Sequence, residues 1–181
     1  FLVEEGVDPA TGRSLDDWPA VLEASNRLIE SLRYAGQNAL ALAVLADGST
    51  LYPSQLVQPT PRHDSGIFYS NGQDPLRKDV LELLFRKFDR EGLVLVPMLD
   101  FSSPLPELEE LARAQGRASV ANVGPDGRTW IESHPPERGL APYYNPLQPA
   151  VQAAMLGVVR ELVERYGNHP SFGGLTLHLP A

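Results

Sequence analysis

Leu93-Val94-Leu95-Val96-Pro97-Met98-Leu99-Asp100 is the stretch on which the fold class turns. Seven apolar residues without polar alternation, closed by one acid, suit a strand buried on both faces between helices. Pro97 removes one ladder donor and is expected to mark a bulge. Upstream, Val80, Leu81, Leu84, Phe85 and Phe88 recur at three- and four-residue steps, which predicts a helix over 75–90 closed by Gly92. The same pairing occurs earlier in the chain. Trp18, Val21, Leu22, Leu28, Ile29 and Leu32 form a helical stripe stopped near Gly36, and the apolar run 39–45 follows as a strand ending at Asp47-Gly48.

Downstream, a short helix is expected over 104–115, with Gly116 as its stop. Segments 118–123 and 128–132 flank Gly124-Pro125-Asp126-Gly127, which has the chemistry of a hairpin turn and is the one antiparallel feature expected. Val151, Met155, Val158, Val159, Leu162, Val163 and Tyr166 mark the longest helix, starting at Asn145-Pro146 or Gln148-Pro149 and ending at Gly167. A last strand is read over 172–179. Strands joined by helices in this order pack in parallel, so the class is α/β. An open doubly wound sheet and a closed barrel both satisfy the order, but no glycine-rich phosphate loop follows any strand. The architecture expected is a partial (β/α)8 TIM-type barrel with parallel strands and one β-hairpin insertion. Residues 1–16 read as a lead-in loop and 17–181 as the barrel domain. Because the chain opens on Phe1 and stops at Ala181 just after an apolar run, it is expected to be an excerpt truncated at the C-terminus.

Composition narrows the function classes. Among 181 residues the formal net charge is -8, and the basic residues are scattered rather than clustered, which argues against a nucleic-acid partner. Without cysteine there is no disulfide frame, thiolate nucleophile or Cys-ligated zinc. The histidines at 63, 134, 169 and 178 lack helical ligand spacing, so neither a metal nor a cofactor is expected. No apolar stretch approaches the roughly 18 to 20 residues needed to span a bilayer.

Gly36-Gln37-Asn38 leading a strand, then Asp47-Gly48 and Leu51-Tyr52-Pro53-Ser54, resembles the first strand and loop of the glycosyl hydrolase-like barrel family related to glycoside hydrolase family 10. Asn71-Gly72-Gln73-Asp74-Pro75-Leu76, Arg90-Glu91-Gly92, Tyr144-Asn145-Pro146 and the helix to Arg165-Tyr166 continue the resemblance, which runs from about Gly36 to Leu179. In that family the strand after the Asn-Pro helix runs Asp-Gly-aliphatic-x-aliphatic-Asp, whereas this chain has Gly173-Gly174-Leu175-Thr176-Leu177-His178. Gly167-Asn168-His169-Pro170-Ser171-Phe172 is similar to the turn before a strand in several other retaining glycosidase barrels. The resemblance implies a carbohydrate-active barrel acting on or binding a polysaccharide or oligosaccharide, and a secreted or periplasmic setting. The alternative is a non-catalytic barrel that binds carbohydrate or protein.

Glycoside hydrolysis uses two carboxyl groups about 5 to 10 Å apart, and barrels carry such groups at the C-terminal ends of strands. Asp100 ends a buried strand and is the candidate catalytic residue; its other reading is a cap on the helix near Pro104. Asp47 is a candidate for substrate binding, or simply the first residue of an Asp-Gly turn. His178 stands at the equivalent point of the last strand, where it can hydrogen-bond a sugar hydroxyl or carry a proton. The long segment 47–74 supplies Tyr52, Arg62, His63 and Tyr69 as aromatic and polar sugar contacts, with Asn145 from a later loop. A surface loop pinned by its aromatics is the other reading of that segment. The partner carboxylate is expected on a strand beyond Ala181, so this chain alone is expected to be inactive and neither retention nor inversion is assigned. A bordering strand with an open edge also makes self-association an expectation.

Overall fold

The computed structural model describes residues 18–60, 78–133 and 143–179, with backbone alone for Trp18, Pro19, Ala20 and Ile131. The lead-in loop, most of the segment holding Arg62, His63 and Tyr69, and His134 lie outside those residues. The described chain is mixed α/β: α1 (Trp18–Tyr34), β1 (Ala39–Ala46), β2 (Ser49–Thr50), α2 (Val80–Glu91), β3 (Val94–Asp100), α3 (Pro106–Gln115), α4 (Trp130–Ser133), α5 (Pro149–Tyr166) and β4 (Thr176–His178). The sheet order is β2-β1-β3-β4, with β1, β3 and β4 parallel and β2 antiparallel to β1. Each parallel strand is therefore added to the same edge as the chain proceeds.

The helical stripe predicted for α2 is the one the structure buries: Val80, Leu81, Leu84, Phe85 and Phe88. Gly92 closes the helix in the left-handed conformation, φ 64°, which glycine adopts without a Cβ clash. The start lies at Val80 rather than Pro75, because Asp79 accepts the Glu82 amide at 2.9 Å and so caps the first turn. Leu95 and Leu99 of β3 and Val44 and Leu45 of β1 share one core with residues of α1, α2, α3 and α5.

The strands are not buried on both faces as their apolar runs suggested. Along β3, Leu95, Pro97 and Leu99 are buried while Val94, Val96, Met98 and Asp100 are only partly so, and on β1 Ala39 and Ala41 are exposed. An apolar run permits burial of either face, and what covers each face is a tertiary property.

Pro97 is accommodated in the middle of the sheet. Leu95 and Phe101 direct their amides toward the β4 side, to Ser171 and His178, and residue 97 shares their parity. Its missing donor thus falls where that ladder is interrupted, between the Leu95–Phe172 bridge and the first β3–β4 pair at Met98–Thr176. The bulge sits instead on β1 at Val44, where the register shifts between Ala43 and Leu45.

The antiparallel features are exchanged relative to expectation. Asp47 and Gly48, at φ 50° and 75°, form the two-residue turn between β1 and β2, whose register pairs Leu45 with Thr50. The turn at 124–127 does close, with Gly124 N–H donating to Arg128 O at 2.8 Å, but its arms do not pair beyond the single Val123–Thr129 bridge. One arm pairs elsewhere, through Asn122 to Tyr143 and Asn145 to Val120. The other becomes α4, because the Glu132 carboxylate accepts from the Thr129 amide at 2.7 Å and hydroxyl at 2.9 Å, one half of a Thr-x-x-Glu capping box.

β4 is shorter than the predicted 172–179 because its approach is made of glycine. A Cβ at Gly173 would overlap Val94 Cγ1 and stand 3.1 Å from Val96 Cγ2, while Gly174 holds φ 115°. Gly173→Ala is expected to destabilise the fold by about 1–3 kcal/mol through overpacking, measured by chemical denaturation. Wild-type stability in that variant would remove the close approach as the reason for glycine here.

Candidate functional site

The C-terminal edge of the parallel strands brings two predicted residues into contact. Asp100 and His178 are register partners on β3 and β4, and His178 Nδ1 lies 2.8 Å from Asp100 Oδ1. The backbone reinforces the pair, since Phe101 N–H donates to the His178 carbonyl at 3.0 Å. The Ser102 amide also donates to Asp100 Oδ1, at 2.8 Å. That contact folds the chain into a tight turn, so Asp100 does not cap α3, whose cap position is Leu105 without a side-chain bond.

Burial opposes ionisation of Asp100, but hydrogen bonds from His178 and Ser102 together outweigh it and hold the carboxyl below its ordinary range. An ionised carboxylate only accepts, so the His178 nitrogen facing it carries the proton. The other nitrogen, Nε2, is left on a ring that is 57% exposed, beside a carboxylate that is 27% exposed. Such a dyad can take a proton at Nε2 or accept a hydrogen bond from a hydroxyl, with Asp100 fixing the tautomer. Replacing His178 with Gln is expected to raise the Asp100 titration midpoint, read by carboxyl carbon NMR. An unchanged midpoint would mean the pair is not formed in solution.

The remaining predicted residues are dispersed. Asp47 is exposed in the β1–β2 turn on the same sheet edge, where Gly48 approaches Pro104 of the loop after β3. Asn145 uses Oδ1 to accept from the Leu147 amide at 2.9 Å and its carbonyl to accept from Gln148, which shapes the entry to α5. The neighbouring Tyr144 hydroxyl donates to Glu109 at 2.6 Å and accepts from the Leu105 amide at 2.9 Å, anchoring this loop beside the chain that follows Asp100. Tyr52 does not face a cleft: it is 1% exposed, meets Tyr166 edge to face at 5.8 Å, and points its hydroxyl at Glu161, 3.4 Å away. Burial and the Glu161 charge push its phenol well up. Arg62, His63 and Tyr69 lie outside the described residues.

Several polar side chains escaped the sequence reading. Glu161 clamps the loop after β2 by accepting from Ser54 Oγ and the Gln55 amide, both at 2.6 Å. Glu109 receives both terminal nitrogens of Arg117 at 2.9 Å. Asp89, Glu82, His169 and Ser171 form a third cluster across α2 and the turn before β4. Separations such as that of Ser54 and Glu161 carry no local periodicity. The signals available in the sequence were the helix-start patterns Thr129–Glu132 and Asp79–Glu82.

Among the described residues no group of acidic and histidine side chains could hold a metal ion, and no helix is long and apolar enough to cross a membrane. No curated protein and no solved structure gives a match to this chain. The family model described as Glycosyl hydrolase-like 10 matches residues 10–168, which include Asp47, Asp100 and Asn145 and stop before His178. With most of its length covered by that match, the chain belongs to the glycosyl hydrolase-like 10 family.

Proposed function

We propose that this chain supplies β/α units of a (β/α)8-type barrel that acts on or binds a polysaccharide or oligosaccharide at the Asp100–His178 edge. The barrel reading is supported by the one-directional addition of β1, β3 and β4 and by a single helix-side core that leaves Ala39 and Ala41 exposed on β1. A doubly wound sheet reverses its strand order and covers both faces. The observation that carries the functional reading is the hydrogen-bonded Asp100–His178 pair at the strand C-termini of a glycosyl hydrolase-like chain. Asp100, held ionised, suits a nucleophile, a base or an orienting group rather than the protonated acid of glycoside cleavage.

The test is titration of the chain with an oligosaccharide panel, followed by NMR. Shifts concentrated at the His178 ring and the amides of Asp100 to Ser103 are expected, with no cleavage by the chain alone. Shifts confined to other regions would overturn the site, and turnover by the isolated chain would overturn the need for a further carboxylate. A non-catalytic binding barrel is the second reading, favoured by His178 occupying Asp100 Oδ1 where the family pattern has an acid.

A further inference from the structure

At the opposite end of the sheet, where α2 gives way to β3, His169 is held by carboxylates on both sides. Its Nδ1 lies 2.7 Å from Asp89 Oδ2 and its Nε2 3.1 Å from Glu82 Oε2. A neutral imidazole has one N–H, so one of these contacts would set a lone pair against an ionised oxygen. The imidazolium donates to both. The ring is 16% exposed and stacks on Phe85 at 4.9 Å and 14°.

The same carboxylate ties this ring to the sheet. Asp89 Oδ1 accepts from the Ser171 hydroxyl at 2.6 Å and amide at 2.9 Å. Ser171 O then accepts from the Leu95 amide at 2.8 Å, and Gly173 N–H donates to Leu95 O at 3.0 Å. The turn 168–173 is therefore the root of the strand that carries His178.

We infer that His169 is a charged latch, its protonated ring fastening the turn 168–173, and with it the root of β4, onto α2. The groups facing it are Glu82 and Asp89 from α2, with Arg86 paired to Glu82 at 2.7 Å, and Tyr166 from α5, behind which stand Arg165 and Asp79. Its own turn adds no charge between Asn168 and Gly173. Burial pushes the His169 pKa down, but the contacts with Asp89 and Glu82 raise it above the ordinary 6.5. Latch stabilisation is thus complete below the ordinary value and is lost as pH rises through the raised one. Glu82 and Asp89 are lowered, against burial, by their hydrogen bonds, so the acid limit comes as pH falls through their folded-state values.

The test uses the full chain, with ring-nitrogen NMR and amide exchange between about pH 6 and about pH 9. His169 is expected to titrate above 6.5 with both nitrogens protonated below that midpoint. Protection of the Leu95 and Gly173 amides, corrected for intrinsic exchange, is expected to fall with rising pH. The fall should be about tenfold for each unit by which His169 titrates above its value in the opened turn. His169→Gln, which cannot carry the charge, is expected to abolish that pH dependence. A His169 midpoint at or below 6.5, or pH-independent protection in the wild type, would overturn the latch. Should the variant not fold, the two wild-type measurements decide the matter by themselves.

Discussion

Phe85→Ala is expected to lower the stability of the fold by about 3–5 kcal/mol, the range for deleting a buried aromatic ring and leaving its cavity. Phe85 has no solvent exposure and stacks on three neighbours: Tyr166 at 5.4 Å, His169 at 4.9 Å and Phe172 at 5.9 Å. These three come from the end of α5, the turn and the start of the path into β4. One ring thus joins α2 to the end of α5 and to the turn that leads into the last strand, and the Phe85 carbonyl also accepts from Ser171 Oγ at 3.3 Å. Neither side of the cavity can close easily, because Tyr166 is pinned to Asp79 through its hydroxyl at 2.8 Å and His169 to two carboxylates. Denaturant unfolding would check the value. A loss below about 1 kcal/mol would mean that the surroundings collapse onto the gap and that the stack is not a rigid anchor.

Asp100→Asn carries the largest expected effect on function. In a protein that contains this chain and cleaves glycosides, turnover is expected to fall by about 10²–10⁴-fold, the usual span for loss of a positioned acid–base group. The substitution keeps shape and one acceptor oxygen, so the Ser102 turn survives and stability is expected to change little. What is lost is the charge that holds the His178 tautomer, since an amide can present either a donor or an acceptor to Nδ1. Turnover measured beside oligosaccharide affinity separates the readings. Reduced cleavage with retained affinity supports a catalytic or positioning role. Affinity unchanged in a protein that never cleaves supports the binding barrel, and unchanged turnover would remove Asp100 from the chemistry.

The two strongest stretches of sequence, 39–45 and 93–100, were legible as strands because they are continuous apolar runs of strand length, although the structure buries mainly one face of each. The helices were legible because Val80, Leu84 and Phe88 must share a stripe. Asp100 was legible for a related reason, as the first charged residue after such a run marks the point where the chain leaves the core. Boundaries were less so. The Asp79 cap moved the start of α2, the Thr129–Glu132 box turned a predicted strand arm into a helix, and Gly173 and Gly174 delayed β4. Tyr52 in a long loop admits two readings, a sugar contact or an aromatic that pins the loop, and its contacts with Tyr166 and Glu161 from a distant helix fit the second.

By itself, then, the sequence determined the α/β class, the approximate order of elements and the position of Asp100 at a strand end, since these depend on periodicities of a few residues. Only the tertiary structure decided that β3 lies between β1 and β4, that His178 is the residue set against Asp100, and that His169 is clamped by Asp89 and Glu82. Those pairings join residues 78, 80 and 87 positions apart in the chain. Contacts at such separations are selected by how the strands align and the helices pack, for which no local pattern of residue types carries a signal.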